Sequence, residues 1–190
     1  MGSVLVGYGE VPAHDLLRAM AARFHSVPVD RIVLGHDCPR CGGDDHGRPV
    51  LLPTSSLRAP AHVSLARAGS ISVAAVTDAG PVGIDVEATG AAGFEGYADV
   101  ALHPDEHAGN DDPTRAWVRK EALLKAYGLG LAIDPREIRI DGTGLEAWES
   151  AHPAPAEMRV RDIDVPGHTA ALVVLAADDA VGVAVEVSRW

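Results

Sequence analysis

Cysteine is scarce in this chain, which has two among its 190 residues, Cys38 and Cys41. Two cysteines do not make a disulfide framework, which argues against a small disulfide-stabilised secreted domain. Long apolar runs are also missing, since stretches such as 170–177 fall far short of the roughly 20 residues that a membrane-spanning helix needs. Residues 1–7 lack a basic segment followed by a long apolar run, which predicts no signal peptide. We therefore expect a soluble, cytoplasmic protein with no membrane partner.

Positive charge is in short supply as well. The chain has 16 Lys and Arg against 27 Asp and Glu, a net charge of −11 with neutral histidines. This balance argues against a general nucleic-acid binder, because little in the chain neutralises a run of phosphates, although a local basic pocket stays open. With 47% apolar residues, the chain has enough apolar material for a real core in one domain or two packed halves.

Short strands outnumber helices in the apolar pattern. Because the strands do not alternate strictly with helices, the pattern favours an α+β fold, which we divide into residues 1–88 and 89–190. Strands are predicted at 4–7, 27–34, 50–52, 62–65, 71–77, 81–87, 138–140, 158–163, 169–176 and 182–187. Helices are predicted at 14–25, 94–102 and 114–127, a long loop at 35–49 and a short link at 66–70.

The helix at 114–127 has the clearest boundaries. Asp112 suits the N-cap, Pro113 suits the first turn, and Gly128 suits the position after the last turn. Within the helix, Trp117, Glu121 and Lys125 are spaced four residues apart and therefore share one face. A surface Glu–Lys pair explains part of this pattern, but a Trp on the same face also fits a site that combines a carboxylate with a cation.

Two carboxylates stand close together in the predicted strand at 81–87. Side chains alternate along a strand, so Asp85 and Glu87 point one way while Ile84 and Val86 point into the core. Paired carboxylates repel each other unless a cation lies between them, and hard oxygen ligands suit Mg²⁺. Taken alone, the pair also fits an exposed, solvated strand face.

The loop at 35–49 contains two further candidates. Cys38 and Cys41 have metal-ligand spacing, with His36 and His46 nearby, but the second cysteine pair of a structural zinc site is absent. Two ordinary thiols, a zinc site and a redox pair all stay open. Arg48, followed by a proline, offers a fixed cation whose planar donor fork suits phosphate.

Three motifs occur together in an informative order. They are HGRPVL at 46–51, GIDVE at 83–87, and WVRKEALLK at 117–125 followed by GLGL at 128–131. This combination resembles the 4′-phosphopantetheinyl transferases of the surfactin-synthetase-activating type, over roughly residues 13–140. The resemblance implies two similar α+β halves related by a pseudo-two-fold axis, with the active site between them, in a monomer.

The resemblance also implies an activity and its cofactors. Members transfer the 4′-phosphopantetheine arm of coenzyme A to a serine of an acyl or peptidyl carrier protein and release adenosine 3′,5′-bisphosphate. They are Mg²⁺-dependent and belong to polyketide or nonribosomal peptide biosynthesis. By this likeness Asp85, Glu87 and Glu121 hold Mg²⁺, Glu121 takes the serine proton, and Lys125 assists the leaving phosphate. The residues implied to contact coenzyme A are Arg48, Arg67, Lys120 and Lys125.

Two departures from the family pattern concern the binding of coenzyme A and leave the three carboxylates unchanged. Ala66 and Arg67 stand where the family has a Ser-His pair, so that a permanent cation replaces a histidine that contacts coenzyme A phosphate. The chain also goes almost at once from its first strand into the helix at 14–25, without the longer basic N-terminal segment of the family. The alternatives are a weakly active or inactive carrier-binding homologue and a Mg²⁺-dependent diphosphate hydrolase. We expect residues 94–112 to form much of the carrier surface.

Overall fold

A computed structural model describes residues 2–55, 57, 60–92, 95–106, 112–142, 144–176 and 184–190. These residues form a mixed α+β fold, so the predicted fold class is confirmed. The strands are β1 (Ser3–Gly9), β2 (Leu34–Asp37), β3 (Arg48–Leu51), β4 (His62–Ala68), β5 (Ile71–Thr77), β6 (Val82–Ala88), β7 (Ile138–Asp141), β8 (Gly144–Trp148), β9 (Arg159–Val165), β10 (His168–Val174) and β11 (Ala184–Arg189). The helices are α1 (Ala13–His25), α2 (Tyr97–Ala101) and α3 (Pro113–Tyr127).

The strands form two main sheets and two separate hairpins. One sheet has the order β11-β1-β5-β4, and the other has the order β6-β10-β9. Neighbouring strands are antiparallel except for β1 and β11, which run parallel. The hairpins pair β2 with β3 and β7 with β8. The strand that carries Asp85 and Glu87 therefore pairs with β10 from the C-terminal part of the chain, and β11 joins the N-terminal sheet.

The main sheets pack face to face, and each is covered by a helix on its other side. Residues that alternate along the strands fill the space between the sheets, for example Val6 and Val73 from one sheet and Ile84 and Leu172 from the other. Helix α1 packs on the outer face of the four-stranded sheet, and α3 packs on the outer face of the three-stranded sheet. This layering follows from the period of two in the strands and the apolar stripe of each helix.

The predicted elements agree with the structure where the pattern is long and differ where it is short. The helix predicted at 14–25 is α1, and the one at 114–127 is α3. The strand predicted at 27–34 is wrong, because a 3₁₀ turn at Val29–Arg31 occupies its centre. The loop predicted at 35–49 is shorter, since both of its ends pair as β2 and β3. The link predicted at 66–70 is also shorter, because β4 continues to Ala68 and the turn follows it.

The remaining predictions on architecture have different outcomes. The helix predicted at 94–102 is shorter in the structure, where α2 covers only Tyr97–Ala101. Phe94 lies outside the described residues. Strand β8 was not predicted. No helix among the described residues is long and apolar enough to span a membrane. The two similar halves about a pseudo-two-fold axis, and their boundary at residue 88, stay predictions.

Candidate active site

Strand β6 presents alternate side chains to the sheet core and to helix α3. Ile84 and Val86 are buried between the two sheets, as the strand pattern predicts. Gly83 faces the helix so closely that an added Cβ would lie 1.9 Å from the Ala122 carbonyl oxygen. The absence of a side chain at Gly83 therefore lets the backbone of α3 approach β6, which brings the helix face against the two carboxylates of the strand.

Helix α3 has the boundaries that its sequence predicts. The Asp112 carboxylate accepts a hydrogen bond from the Thr114 N–H at 3.0 Å, and Pro113 occupies the first turn. Gly128 ends the helix with φ +88°, in the left-handed region that favours glycine. These caps fix where the helix begins and ends, and hence which of its residues lie beside β6.

A short ion pair joins the helix to the strand. The Lys125 ammonium donates a hydrogen bond to Asp85 Oδ1 at 2.6 Å and another to the Ile84 carbonyl oxygen at 3.3 Å. The Asp85 side chain is 8% exposed, whereas Lys125 is 31% exposed. The second carboxylate oxygen of Asp85, Oδ2, is buried without a hydrogen-bond partner among the described residues. A buried, unpartnered carboxylate oxygen needs a cation or a proton.

The electrostatics of the three predicted metal ligands are coupled. Burial raises the pKa of Asp85, and the Lys125 ammonium partly opposes this shift. Burial and then the charge of Asp85 raise the pKa of Glu87. For Glu121, burial is again the largest cause of a raised pKa, followed by the charge of Asp85. The charge of Asp85 thus raises the pKa of both other carboxylates, and a divalent cation would stabilise the negative charge of this centre.

The donor chemistry of this centre fits Mg²⁺. The three side chains offer carboxylate oxygens, which are the ligands that this ion prefers, and Asp85 Oδ2 has no competing partner among the described residues. The three carboxylates do not all approach within 4.8 Å of one another, a closeness that only Cys38, Cys41 and His46 reach in the described part of the chain. The structure thus brings Asp85, Glu87 and Glu121 into one electrostatic cluster, and their role as metal ligands stays a prediction.

A groove of about 840 Å³ opens beside the C-terminal half of α3. Its walls come from the β2–β3 hairpin, from β4 and from the end of the helix. Three cations line it, namely Arg40, Arg48 and Lys125. The groove is therefore large enough for a sizeable ligand, and its walls contain cationic side chains in a chain with a strongly negative total charge.

Arg48 is held in place by the hairpin. Its guanidinium donates two hydrogen bonds to Asp37 Oδ2, at 2.9 and 2.7 Å, from the register position directly opposite. The same guanidinium lies beside Gly128, where an added Cβ would be 2.9 Å from Nη1. Partial desolvation lowers the pKa of His62 in the groove wall, and the Arg48 charge lowers it further. The sequence predicts no role for Asp37, Arg40 or His62. The role of Asp37 becomes visible only when the hairpin register places it opposite Arg48.

A smaller cavity of about 170 Å³ lies on the other side of the carboxylate cluster. Glu87 and Trp117 line it together with Tyr97 and Val100 from α2. The Tyr97 hydroxyl donates a hydrogen bond to the Pro113 carbonyl oxygen at 2.7 Å, which ties α2 to the start of α3. Val100 is 53% exposed at the rim. The cluster thus has a basic groove beside Lys125 and a mainly apolar cavity beside Glu87.

Lys120 lies away from the groove. Its side chain is fully buried, and its ammonium donates hydrogen bonds to the Ala101 carbonyl oxygen at 2.7 Å and to Glu106 Oε2 at 2.5 Å. Burial lowers the pKa of Lys120, while Glu106 opposes the shift. The ammonium ties α3 to α2 and to the following turn, outside the set of residues that line the groove, and the contact of Lys120 with coenzyme A stays a prediction.

Arg67 is not in a turn, which corrects the sequence analysis. It lies within β4, opposite Ser72 of β5, and is exposed outside the set of residues that line the groove. Ser64, three residues earlier, lines the groove and accepts a hydrogen bond from the Ile84 N–H at 3.1 Å. The strand beside β6 therefore does carry a serine hydroxyl, which the comparison with residues 66 and 67 overlooked. The contact of Arg67 with coenzyme A stays a prediction.

Comparison with protein families gives one match. Residues 81–164, somewhat less than half of the chain, match the family model of the 4′-phosphopantetheinyl transferase superfamily. The matched segment includes β6 and α3, and with them Asp85, Glu87, Glu121 and Lys125. The groove residues Arg40 and Arg48 lie before it. The match supports the general family that the motifs resemble, without distinguishing the surfactin-synthetase-activating type. A comparison with curated proteins finds no match.

Proposed function

We propose that this chain is a phosphopantetheinyl transferase that moves the 4′-phosphopantetheine arm of coenzyme A to a serine of an acyl or peptidyl carrier protein. The observation that carries the proposal is the cluster of Asp85, Glu87 and Glu121 with Lys125, beside a groove with three cations. The family match over residues 81–164 supports the same reaction class. The specific surfactin-synthetase-activating type rests on the order of the sequence motifs.

The reaction is a phosphoryl transfer with a balanced exchange of bonds. The carrier serine oxygen forms a bond to the phosphorus that bears pantetheine, and the bond from that phosphorus to the bridging oxygen breaks. The serine hydroxyl loses its proton, and adenosine 3′,5′-bisphosphate leaves with the bridging oxygen. Catalysis of such a step depends mainly on positioning and on stabilising negative charge.

The residues of the chain divide this work by their position. Arg48, fixed by Asp37, and Arg40 supply positive charge for the phosphates in the groove. Lys125, at the junction of the groove and the carboxylate cluster, stabilises charge on the departing phosphate. Glu121, on the α3 face that meets β6, accepts the serine proton directly or through water.

Asp85, Glu87 and Glu121 would hold Mg²⁺. When bound, the ion neutralises charge on the diphosphate and orients the leaving group. The unpartnered Oδ2 of Asp85 is the ligand atom that the fold leaves most clearly available.

Mass spectrometry of an apo carrier protein tests the proposed activity. After incubation with the chain, Mg²⁺ and coenzyme A, the carrier serine should gain the mass of phosphopantetheine less water. Asp85→Ala should nearly abolish this gain, and circular dichroism should show an intact fold. Wild-type activity of Asp85→Ala at saturating Mg²⁺ would show that the shared-metal proposal is wrong.

The groove is tested separately through Arg48. Arg48→Ala should raise the KM for coenzyme A about tenfold or more, because a charge-assisted contact contributes about 1.5–3 kcal/mol. The kcat should change less, since the contact exists in the ground and transition states alike. Arg31→Ala, in the 3₁₀ turn after α1, is the matched control. An unchanged KM in Arg48→Ala would remove this residue from the coenzyme A site.

Two other functions remain distinguishable by the same assay. A Mg²⁺-dependent diphosphate hydrolase would release adenosine 3′,5′-bisphosphate without any carrier protein. A weakly active or inactive carrier-binding homologue would bind the carrier and leave its mass unchanged. The cluster of Asp85, Glu87 and Glu121 with Lys125 favours the transferase over the inactive homologue.

A further inference from the structure

The loop between β2 and β3 brings both cysteines and a histidine together. Sγ of Cys38, Sγ of Cys41 and a ring nitrogen of His46 all lie within 4.8 Å of one another. The Cys41 sulfur is 3.3 Å from His46 Nε2. No other three Cys, His, Asp or Glu side chains in the described ranges converge to this degree. The sequence left ordinary thiols, zinc and a redox pair open, and the convergence of a histidine nitrogen on both sulfurs favours a metal site.

The surroundings of the three side chains orient them toward a common point. Asp45 Oδ1 lies 2.6 Å from His46 Nδ1, so the carboxylate holds one ring nitrogen and turns Nε2 toward the sulfurs. A carboxylate on the distal nitrogen is the usual partner of a metal-binding histidine. The backbone N–H of Gly43 donates to the Cys41 sulfur at 3.4 Å, as N–H groups commonly do to thiolate ligands.

Two glycines allow the loop to close around this point. Gly42, at φ +71°, donates its N–H to the Cys38 carbonyl oxygen at 2.8 Å. Gly47, at φ +103°, lies so close to the opposite strand that an added Cβ would be 2.4 Å from the Asp37 carbonyl oxygen. The tight turn therefore follows from the backbone itself and sets the spacing of residues 38, 41 and 46.

We propose that Cys38, Cys41 and His46 bind one Zn²⁺ through the two thiolate sulfurs and Nε2, with water as the fourth ligand. Two sulfurs and an imidazole nitrogen suit Zn²⁺, whereas the oxygen ligands of Asp85, Glu87 and Glu121 suit Mg²⁺. The two centres therefore select different ions.

The consequence concerns the groove. Cys38 and Arg40 line it from the loop, and Arg48 lines it from the point where the loop returns to β3. A metal that joins residues 38, 41 and 46 would fix the segment that carries two of the three groove cations. The zinc site goes beyond the proposed transferase activity, because it does not require that coenzyme A be the ligand of the groove.

Thiol chemistry gives a direct readout, since the chain has no other cysteines. The full chain, incubated with zinc and dialysed, should contain about one zinc per chain. Its two thiols should react with iodoacetamide at least about tenfold more slowly than after removal of zinc by a chelator. Cobalt substituted for zinc should give thiolate-to-metal charge-transfer absorption, which distinguishes sulfur coordination from binding elsewhere.

Variants decide whether the three residues are the ligands. Cys38→Ser, Cys41→Ser and His46→Gln should each lose most of the bound zinc, while His168→Gln, which changes a half-buried histidine at the start of β10, should keep it. Circular dichroism identifies a variant that fails to fold, and cobalt absorption of the wild-type chain stands independently of the variants. Absence of zinc, equal thiol reactivity with and without zinc, or an intact mass lower by two hydrogen atoms, as in a disulfide, would overturn the proposal. None of these measurements involves coenzyme A or a carrier protein, so their failure is separate from failure of the transferase.

Discussion

At the scale of single residues, the carboxylate cluster combines a stability penalty with the proposed binding of Mg²⁺. Asp85, Glu87 and Glu121 all have a raised pKa, chiefly because burial disfavours their charged forms. Groups of this kind make the folded state less stable once they ionise, and this loss of stability is compensated only when a cation binds. Lys125 compensates only part of this charge, because it is paired with Asp85 Oδ1, and Oδ2 has no hydrogen-bond partner in the described part of the chain.

This arrangement predicts how stability depends on pH. The pKa of Glu121 in the folded chain lies above its ordinary value of 4.5, so the folded state holds this proton more tightly than the unfolded chain does. Its contribution to the free energy of unfolding is fully present below that ordinary value and is lost as the pH rises through the folded-state pKa. Glutamine does not titrate. We expect metal-free Glu121→Gln to gain stability relative to wild type across this window, by about 1.4 kcal/mol for each unit of pKa shift.

Urea denaturation at a series of pH values from about 4 to 8 measures this difference. Asp30→Asn, at an exposed position in the 3₁₀ turn after α1, controls for the loss of one negative charge. Addition of Mg²⁺ should stabilise wild type more than Glu121→Gln, since the variant lacks one proposed ligand. A constant difference at every pH would contradict the coupling of this carboxylate to the cluster.

At the scale of elements, the contact between β6 and α3 determines the geometry of the site. Gly83→Ala would place a Cβ 1.9 Å from the Ala122 carbonyl oxygen and 2.6 Å from the Ala126 nitrogen. Both are backbone atoms that a rotamer change does not move, so the helix must shift. We expect destabilisation of about 3 kcal/mol or more, measured by urea denaturation. Gly144→Ala in β8, with no atom within 4 Å of the added Cβ, should change stability little. Equal effects of the two substitutions would show that this close approach is unimportant.

Elements defined by local chemistry could be predicted from the sequence. The caps of α3 at Asp112 and Gly128 depend on residues next to the helix, and the alternation of β6 depends on its own side chains. The strand predicted at 27–34 shows the limit of this reasoning. Its apolar residues fit an extended pattern, but Pro28 begins a 3₁₀ turn and the pairing partner, β3, lies opposite residues 34–37 instead.

Site residues that depend on distant partners could not be predicted. Lys120 follows the same helix pattern as its neighbours, yet it is buried, because Glu106 and the Ala101 carbonyl oxygen accept hydrogen bonds from its ammonium. Asp37 gains its role only from the hairpin register that sets it opposite Arg48. The link predicted at 66–70 leaves Arg67 outside a strand, because the end of β4 depends on pairing with β5, which spacing alone does not reveal.

At the scale of the whole molecule, the charge distribution limits how the proposed carrier protein could dock. The chain carries a net charge of −11. Carrier proteins are generally acidic, so the net charges of the two proteins would not attract each other. The cations of the described groove, Arg40, Arg48 and Lys125, face the proposed coenzyme A site. Apolar contact at the cavity beside Glu87, with Val100 exposed at its rim, is the available alternative. Residues 107–111 of the predicted carrier surface lie outside the described residues.

Docking through apolar contact predicts a weak dependence on salt together with a strong dependence on Val100. We expect the KM for the carrier protein to change by less than about threefold as the salt concentration rises from about 50 to about 500 mM. Val100→Asp should raise this KM about tenfold or more, because it places a desolvated charge in the contact, and should leave the KM for coenzyme A unchanged.

Val29→Asp is the matched control. Val29 is 50% exposed and Val100 is 53% exposed, but Val29 lies in the turn after α1. Steady-state kinetics with the carrier as the varied substrate measures both effects. A loss of carrier affinity by orders of magnitude at moderate salt, with Val100→Asp behaving like Val29→Asp, would show instead that charged contacts dominate docking.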